Sequence, residues 1–260
     1  MTPLSQLSFD QAMVTMALGL ARVTPALMFL PMLGEKPMGR GVLRTTLLTL
    51  ITLGLLPVLT GQNLDVTALS LPATLLKEGL IGLILGLMLG APYFAATTFG
   101  EFLDNQRGAT IAKSIDPTVD VESSLLGSFI GFLWAALFFA GGGLVWIIST
   151  IAESYRRIPL DGSLTLNMQT ILNLGSLLGQ TLMAGVVAAA PAVAVMLLID
   201  IMLGILSRFA SQLNPFSLAL TVKSLAASVI LLLYLSPWTF TGINRLHQVW
   251  RVDVLFAGSP

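Results

Sequence analysis

The sequence contains no cysteine and a single histidine, His247. The first absence excludes disulfides and thiolate chemistry, and the second excludes a multi-histidine metal centre. Neither HExxH nor GxSxG occurs, and no nucleophile–base constellation is present. The reading is therefore no enzyme: catalytic residues none, metal ligands none, cofactors none. Charge is equally scarce. Lys, Arg, Asp and Glu make up 10% of the 260 residues, against about 25% in a soluble domain. The formal net charge is zero, so no nucleic-acid partner is expected. Met1–Gln11 holds Asp10 but no Lys or Arg, so it lacks the basic start of a cleaved signal peptide, and the first apolar stretch is expected to persist. No internal repeat and no long linker interrupts the chain, which reads as one integral-membrane domain over residues 1–260.

What remains is mostly hydrocarbon. Charge-free runs cover 45–64, 79–100, 123–152, 162–199 and 224–244, and a sixth apolar stretch near 11–33 is interrupted only by Arg22. A transmembrane helix needs about 20 apolar residues. Backbone polar groups in lipid must be satisfied within the segment, and β-barrel alternation is missing, so these runs are expected to be helices. The fold class is all-α, a polytopic membrane protein of about six helices near 9–33, 41–60, 72–99, 123–152, 168–207 and 216–241. Two runs are too long for one straight span. Thirty charge-free residues at 123–152 would make a helix of ~45 Å against a hydrocarbon core of ~30 Å. The run at 162–199 is longer still and contains Pro191. Either these helices tilt and break, or part of each packs against protein; the ordered spacing of polar residues favours protein.

That spacing is clearest at Gln169, Asn173, Ser176 and Gln180, which share one helical face. Such a stripe is either interhelical glue within one bundle or a wall shared with a partner subunit or a polar conduit. Gly82, Gly86 and Gly90 recur at spacing four, as do the pairs Gly127/Gly131 and Gly175/Gly179; small residues so placed let helix backbones approach closely. Arg22, Lys77, Glu78, Asp200 and Lys223 lie within or beside apolar stretches, where an ionisable group needs a partner, a cavity or an interface. Lys77 and Glu78 diverge by about 100° on a helix, so each is expected to find its partner elsewhere. Asp200, Gly204 and Arg208 share a face. In "SQLNPF" (211–216), Pro215 pushes Asn214 out of the α region, so a helix should end near Gln212 and another restart near Pro215.

The densest charge lies between two charge-free runs. Gly100–Glu122 holds five acids and two bases, seven of the 26 charged residues in 23 positions. Such a segment cannot lie in hydrocarbon; it needs water or a lumen walled by protein.

Several motifs in register carry a resemblance. "KEGLIGLILG" (77–86), "GEFLDNQRGA" (100–109), Asp116–Pro117 and "LIDIMLGILSRFASQLNPF" (198–216) followed by "VKS" (222–224) resemble the FliR/SpaR/YscT/HrcT (SctT) family of type III secretion export apparatus proteins, more the injectisome branch than the flagellar one. The resemblance implies a structural and gating subunit at the base of a secretion system in the bacterial inner membrane. It implies kinked helical hairpins within a cone-shaped hetero-oligomer built with SctR- and SctS-type subunits, an SctU-type protein at the entrance, surrounding membrane lipid, and unfolded protein substrates passing through the centre. It also places a channel plug at Gln106, Arg107, Gly108, Lys113, Asp116, Pro117, Asp120 and Glu122, with Arg107 and Lys113 able to pair with neighbouring acids. Candidates for subunit contact are Lys77, Glu78, Gly82, Gly86, Gln169, Asn173, Gln180, Asp200, Arg208, Asn214 and Lys223. The competing reading is a stand-alone secondary transporter or channel for a small solute. It would call for an inverted repeat and a midplane cluster of ionisable groups, and neither is visible.

Overall fold

The computed structural model describes residues 9–33, 41–60, 71–108, 124–160, 168–209 and 218–233. Every regular element among them is helical: α1 (Phe9–Met28) with a short 3-10 turn at Pro31–Leu33, α2 (Val42–Leu59), α3 (Leu71–Gln106), α4 (Leu125–Ala140), α5 (Gly143–Arg157), α6 (Met168–Phe209) and α7 (Leu218–Leu233). By length and composition α2, α3 and α6 can each cross a membrane, and α4 with α5 qualifies as a broken span or a re-entrant pair. The all-α polytopic expectation holds.

Two expectations are revised. The helix expected over 123–152 is two helices, because the chain breaks at Gly141 and Gly142, and Gly142 adopts φ 83°, a left-handed conformation that glycine enters without steric cost. The helix expected to stop at residue 99 runs on to Gln106. Gly100 does not end it, because an α-helix loses only about 1 kcal/mol to an internal glycine, and this glycine serves a close contact described below. Its end comes at Gly108, φ 80°, the usual left-handed stop. The helix expected over 168–207 is found as α6, which runs through Pro191 without a break.

The chain divides into two compact units. The first contains α1, α2, Leu71–Ala91 of α3, α5 and Met168–Leu178 of α6. In it α2 buries Leu48, Ile51, Thr52, Leu55 and Leu59, a single face at spacings of three and four, and packs on α1 and α5. Gly19 makes that approach to α1 possible: a Cβ there would lie 2.8 Å from Thr52 Cγ2 and 2.9 Å from Leu59 Cδ1. The second unit contains Pro92–Gln106 of α3, α4, Gly179–Phe209 of α6, and α7. Its core joins Ala96, Phe99 and Leu103 of α3, Ile130 of α4, Ala189, Ala192 and Met196 of α6, and Ala227 of α7. Four alanines in eight positions bring the axes close. Where lipid competes with the core for apolar side chains, such close packing rather than the hydrophobic effect holds helices together.

Candidate functional site

In the first unit, the ionisable residues of the apolar segments converge. Arg22 of α1 and Glu78 of α3 are both fully buried. Arg22 Nε donates to Glu78 Oε2 at 2.6 Å, Nη1 donates to Ser154 Oγ at 3.1 Å, and Nη2 donates to the carbonyl of Ile158 at 2.9 Å. The guanidinium lies 4.0 Å over the ring of Tyr155, whose hydroxyl donates to the carbonyl of Gly19. Lys77 Nζ stands 3.1 Å from Glu78 Oε1 and donates to the carbonyls of Leu160 at 2.7 Å and Pro159 at 3.3 Å. As expected, each finds a partner elsewhere, Glu78 in Arg22 and Lys77 in the Leu160 and Pro159 carbonyls, but the two also stand within ion-pair distance of each other. Their Cβ directions diverge, but a four-carbon lysine stem is long and flexible enough to bring its ammonium to the neighbouring carboxylate. Two cations thus enclose one anion, and both also address carbonyls at the C-terminal end of α5, where the helix dipole is negative.

Close backbone contact accompanies the cluster. A Cβ on Gly82 would lie 2.1 Å from the carbonyl oxygen of Arg22, and one on Gly86 would lie 2.7 Å from that of Ala26. Lys77, Glu78, Gly82 and Gly86 therefore make their contacts inside the chain, with α1 and α5, rather than presenting an outward face.

In the second unit, a carboxylate sits where α3 ends and α4 begins. Asp104 is buried. Its Oδ2 accepts from the Ser124 hydroxyl and, at 2.9 Å, from the Leu126 amide; its Oδ1 is 2.6 Å from Arg107 Nε. Lys223 of α7 pairs with Asp200 of α6 at 2.5 Å and donates to the carbonyl of Gln106 at 3.0 Å, a cation on the last turn of α3. The structure thus brings Gln106, Asp200 and Lys223 together and pairs Arg107 with Asp104. Lys113, Asp116, Pro117, Asp120, Glu122 and Asn214 lie outside the described residues, as does the side chain of Gln169. Arg208 is exposed.

The polar stripe on α6 faces outward. Asn173, Ser176 and Gln180 are exposed, and Gly175, Gly179 and Gly204 have open space where a Cβ would stand. In the most apolar window of α6, 22% of positions are buried, against 50% in α3. Exposed Met183, Val187, Leu197, Leu198, Ile201 and Met202 extend this uncovered surface. Ser176 donates to the carbonyl of Asn173 within its own helix at 2.9 Å.

Residues 13–248 match the family of bacterial export proteins, family 1. The chain belongs to that family. It is 34% identical over 230 residues to the surface presentation of antigens protein SpaR of Salmonella typhimurium, covering 88% of this chain and 86% of the relative. It is 30% identical to the Yop proteins translocation protein T of Yersinia pestis, covering 86% and 87%. With the flagellar biosynthetic protein FliR of Escherichia coli it shares 26%, covering 87% and 88%. This bacterial export protein therefore has more identity with the first two relatives than with the flagellar one, as the motifs in "DNQRGA" and "SRFASQLNPF" suggested.

Sequence reasoning singled out Arg22 but missed Ser154 and Tyr155, its contacts on α5, and passed over Asp104 and Ser124. For the last two a signal existed. Ser124 directly precedes the apolar stretch that begins at Leu125, the position of an N-cap, and its Oγ does accept from the Gly127 amide at 2.8 Å.

Proposed function

We propose that this chain is a structural and gating subunit of a type III secretion export apparatus. In this reading it forms, with SctR- and SctS-type subunits, the inner-membrane gate through which unfolded protein substrates pass, with an SctU-type protein at its entrance. The observation that carries the reading is the uncovered face of α6. A helix of 42 residues with exposed amides, a hydroxyl and three open glycines is costly to leave in lipid and well suited to another helix backbone or an aqueous path. Family membership supplies the class of machine, and the open face supplies the need for company.

Two measurements test it. Gln169→Leu combined with Gln180→Leu, or Gly179→Leu alone, should sharply lower the yield of complex when the chain is co-expressed with SctR- and SctS-type partners, while the amount of this chain in the membrane stays unchanged. Wild-type yield would reject the α6 face as a subunit contact. Deleting Arg107–Asp120 should let small ions leak through an assembled apparatus; an unchanged leak would reject the assignment of this segment as the plug.

A further inference from the structure

The α3–α4 junction carries more bonding than a simple connection between two helices requires. Asp104 reaches from the last turn of α3 to the first turn of α4, taking the Leu126 amide and the Ser124 hydroxyl, where unfilled N–H groups and the helix dipole favour an anion. Ser124 passes the support on to the Gly127 amide. One turn earlier on the same face of α3, Gly100 touches α4 directly: a Cβ on it would lie 2.6 Å from both the nitrogen and Cα of Gly127. No side chain separates the two backbones there. Lys223 then holds the Gln106 carbonyl and Asp200 together from the other side.

We propose that Asp104 is a positioning residue of the gate, holding α3 and α4 as one body that stays closed while substrate passes. The inference rests on the export-gate reading above. Two attachments one turn apart, one of backbone on backbone and one of a buried carboxylate, tie the start of α4 to the last turns of α3. Parting them would leave Asp104 with Arg107 alone and the Ser124 hydroxyl and Leu126 amide without their acceptor, whereas an exposed ion pair separates at little cost. The junction is therefore the fixed frame of the gate, and opening takes place without it.

The absence of native cysteine makes a thiol test clean. Asp104→Cys with Ser124→Cys, assembled with its partner subunits, is joined by a short bifunctional thiol reagent. The joined complex should export substrate as fast as wild type and leak no more ions. The unjoined double variant, and Asp104→Ala, should assemble normally but leak ions about tenfold faster, the factor set by losing one charge-assisted hydrogen bond. Recovery on joining is a response that a merely fold-supporting residue would not give. Export blocked by joining would overturn the proposal, because the junction would then have to open. So would an unchanged leak in Asp104→Ala where deletion of Arg107–Asp120 does leak. If the deletion itself does not leak, the plug assignment fails instead, and the export rate of the joined complex alone decides whether the junction stays closed. If Asp104→Ala does not assemble, Ser124→Ala, which removes only a hydroxyl, supplies the leak measurement.

Discussion

Arg22→Ala should leave little folded protein in the membrane. The side chain is fully buried and makes four distinct contacts: the Glu78 carboxylate, the Ser154 hydroxyl, the Ile158 carbonyl and the Tyr155 ring. Removing it leaves Glu78, also fully buried, with Lys77 at 3.1 Å as its remaining cation, and leaves two acceptors on α5 without their donor. Breaking a buried pair from one side costs about 3–5 kcal/mol, a large share of the 5–15 kcal/mol that holds a typical domain folded. Replacing both partners is milder. Arg22→Leu with Glu78→Leu should recover much of the loss, since neither charge is then stranded and Lys77 keeps the Pro159 and Leu160 carbonyls. Lys is no substitute at position 22, because one ammonium cannot span the three acceptors that a guanidinium reaches. Size-exclusion profile and thermal unfolding in detergent measure the effect. A wild-type profile for Arg22→Ala would show that the cluster does not hold α1, α3 and α5 together.

Gly82→Ala should also disrupt the first unit, though it adds a single methyl group. The new Cβ would lie 2.1 Å from the Arg22 carbonyl oxygen and 2.9 Å from its carbonyl carbon. Both atoms belong to the backbone of α1, so no side chain can swing aside. Overpacking of this kind costs about 1–3 kcal/mol when a core can adjust, and the same displacement of α1 would pull Arg22 away from Glu78, so a loss at the upper end is expected. Gly179→Ala is the matched control. Open space surrounds that position, and the change should be neutral or slightly stabilising, since alanine favours a helix over glycine by about 1 kcal/mol. Equal thermal stability of the two variants would contradict the packing of α3 against α1.

The contrast between those glycines shows what the sequence could and could not convey. Spacing four announced Gly82/Gly86 and Gly175/Gly179 alike. The first pair lies against the α1 backbone and the second faces open space; periodicity along one helix states which residues share a face but not what meets it. Spans were legible, because a charge-free run of 20 residues has few alternatives in lipid. Arg22, Glu78 and Lys77 were recognisable as groups in need of partners, yet Arg22 finds Ser154 across 132 positions, a separation no local pattern encodes. The break between α4 and α5 was written in "GGG" (141–143), a breaker signal hidden by the apolar run around it. The extension of α3 through "GEFLDNQ" (100–106) was concealed in the opposite way. Its charges suggested a loop, whereas Asp104 pairs with Arg107 one turn on and Lys223 takes the final carbonyl.

Pro191 lies inside α6, which continues past it. Proline brings no amide hydrogen, so the Val187 carbonyl is denied the donor that a helix supplies four residues on. Val187 is 59% exposed. Surrounded by acyl chains, an unmet oxygen would cost several kcal/mol, so to lie at membrane depth this turn calls for a donor from a neighbouring helix, a hydroxyl or water, or for a local tightening of the helix.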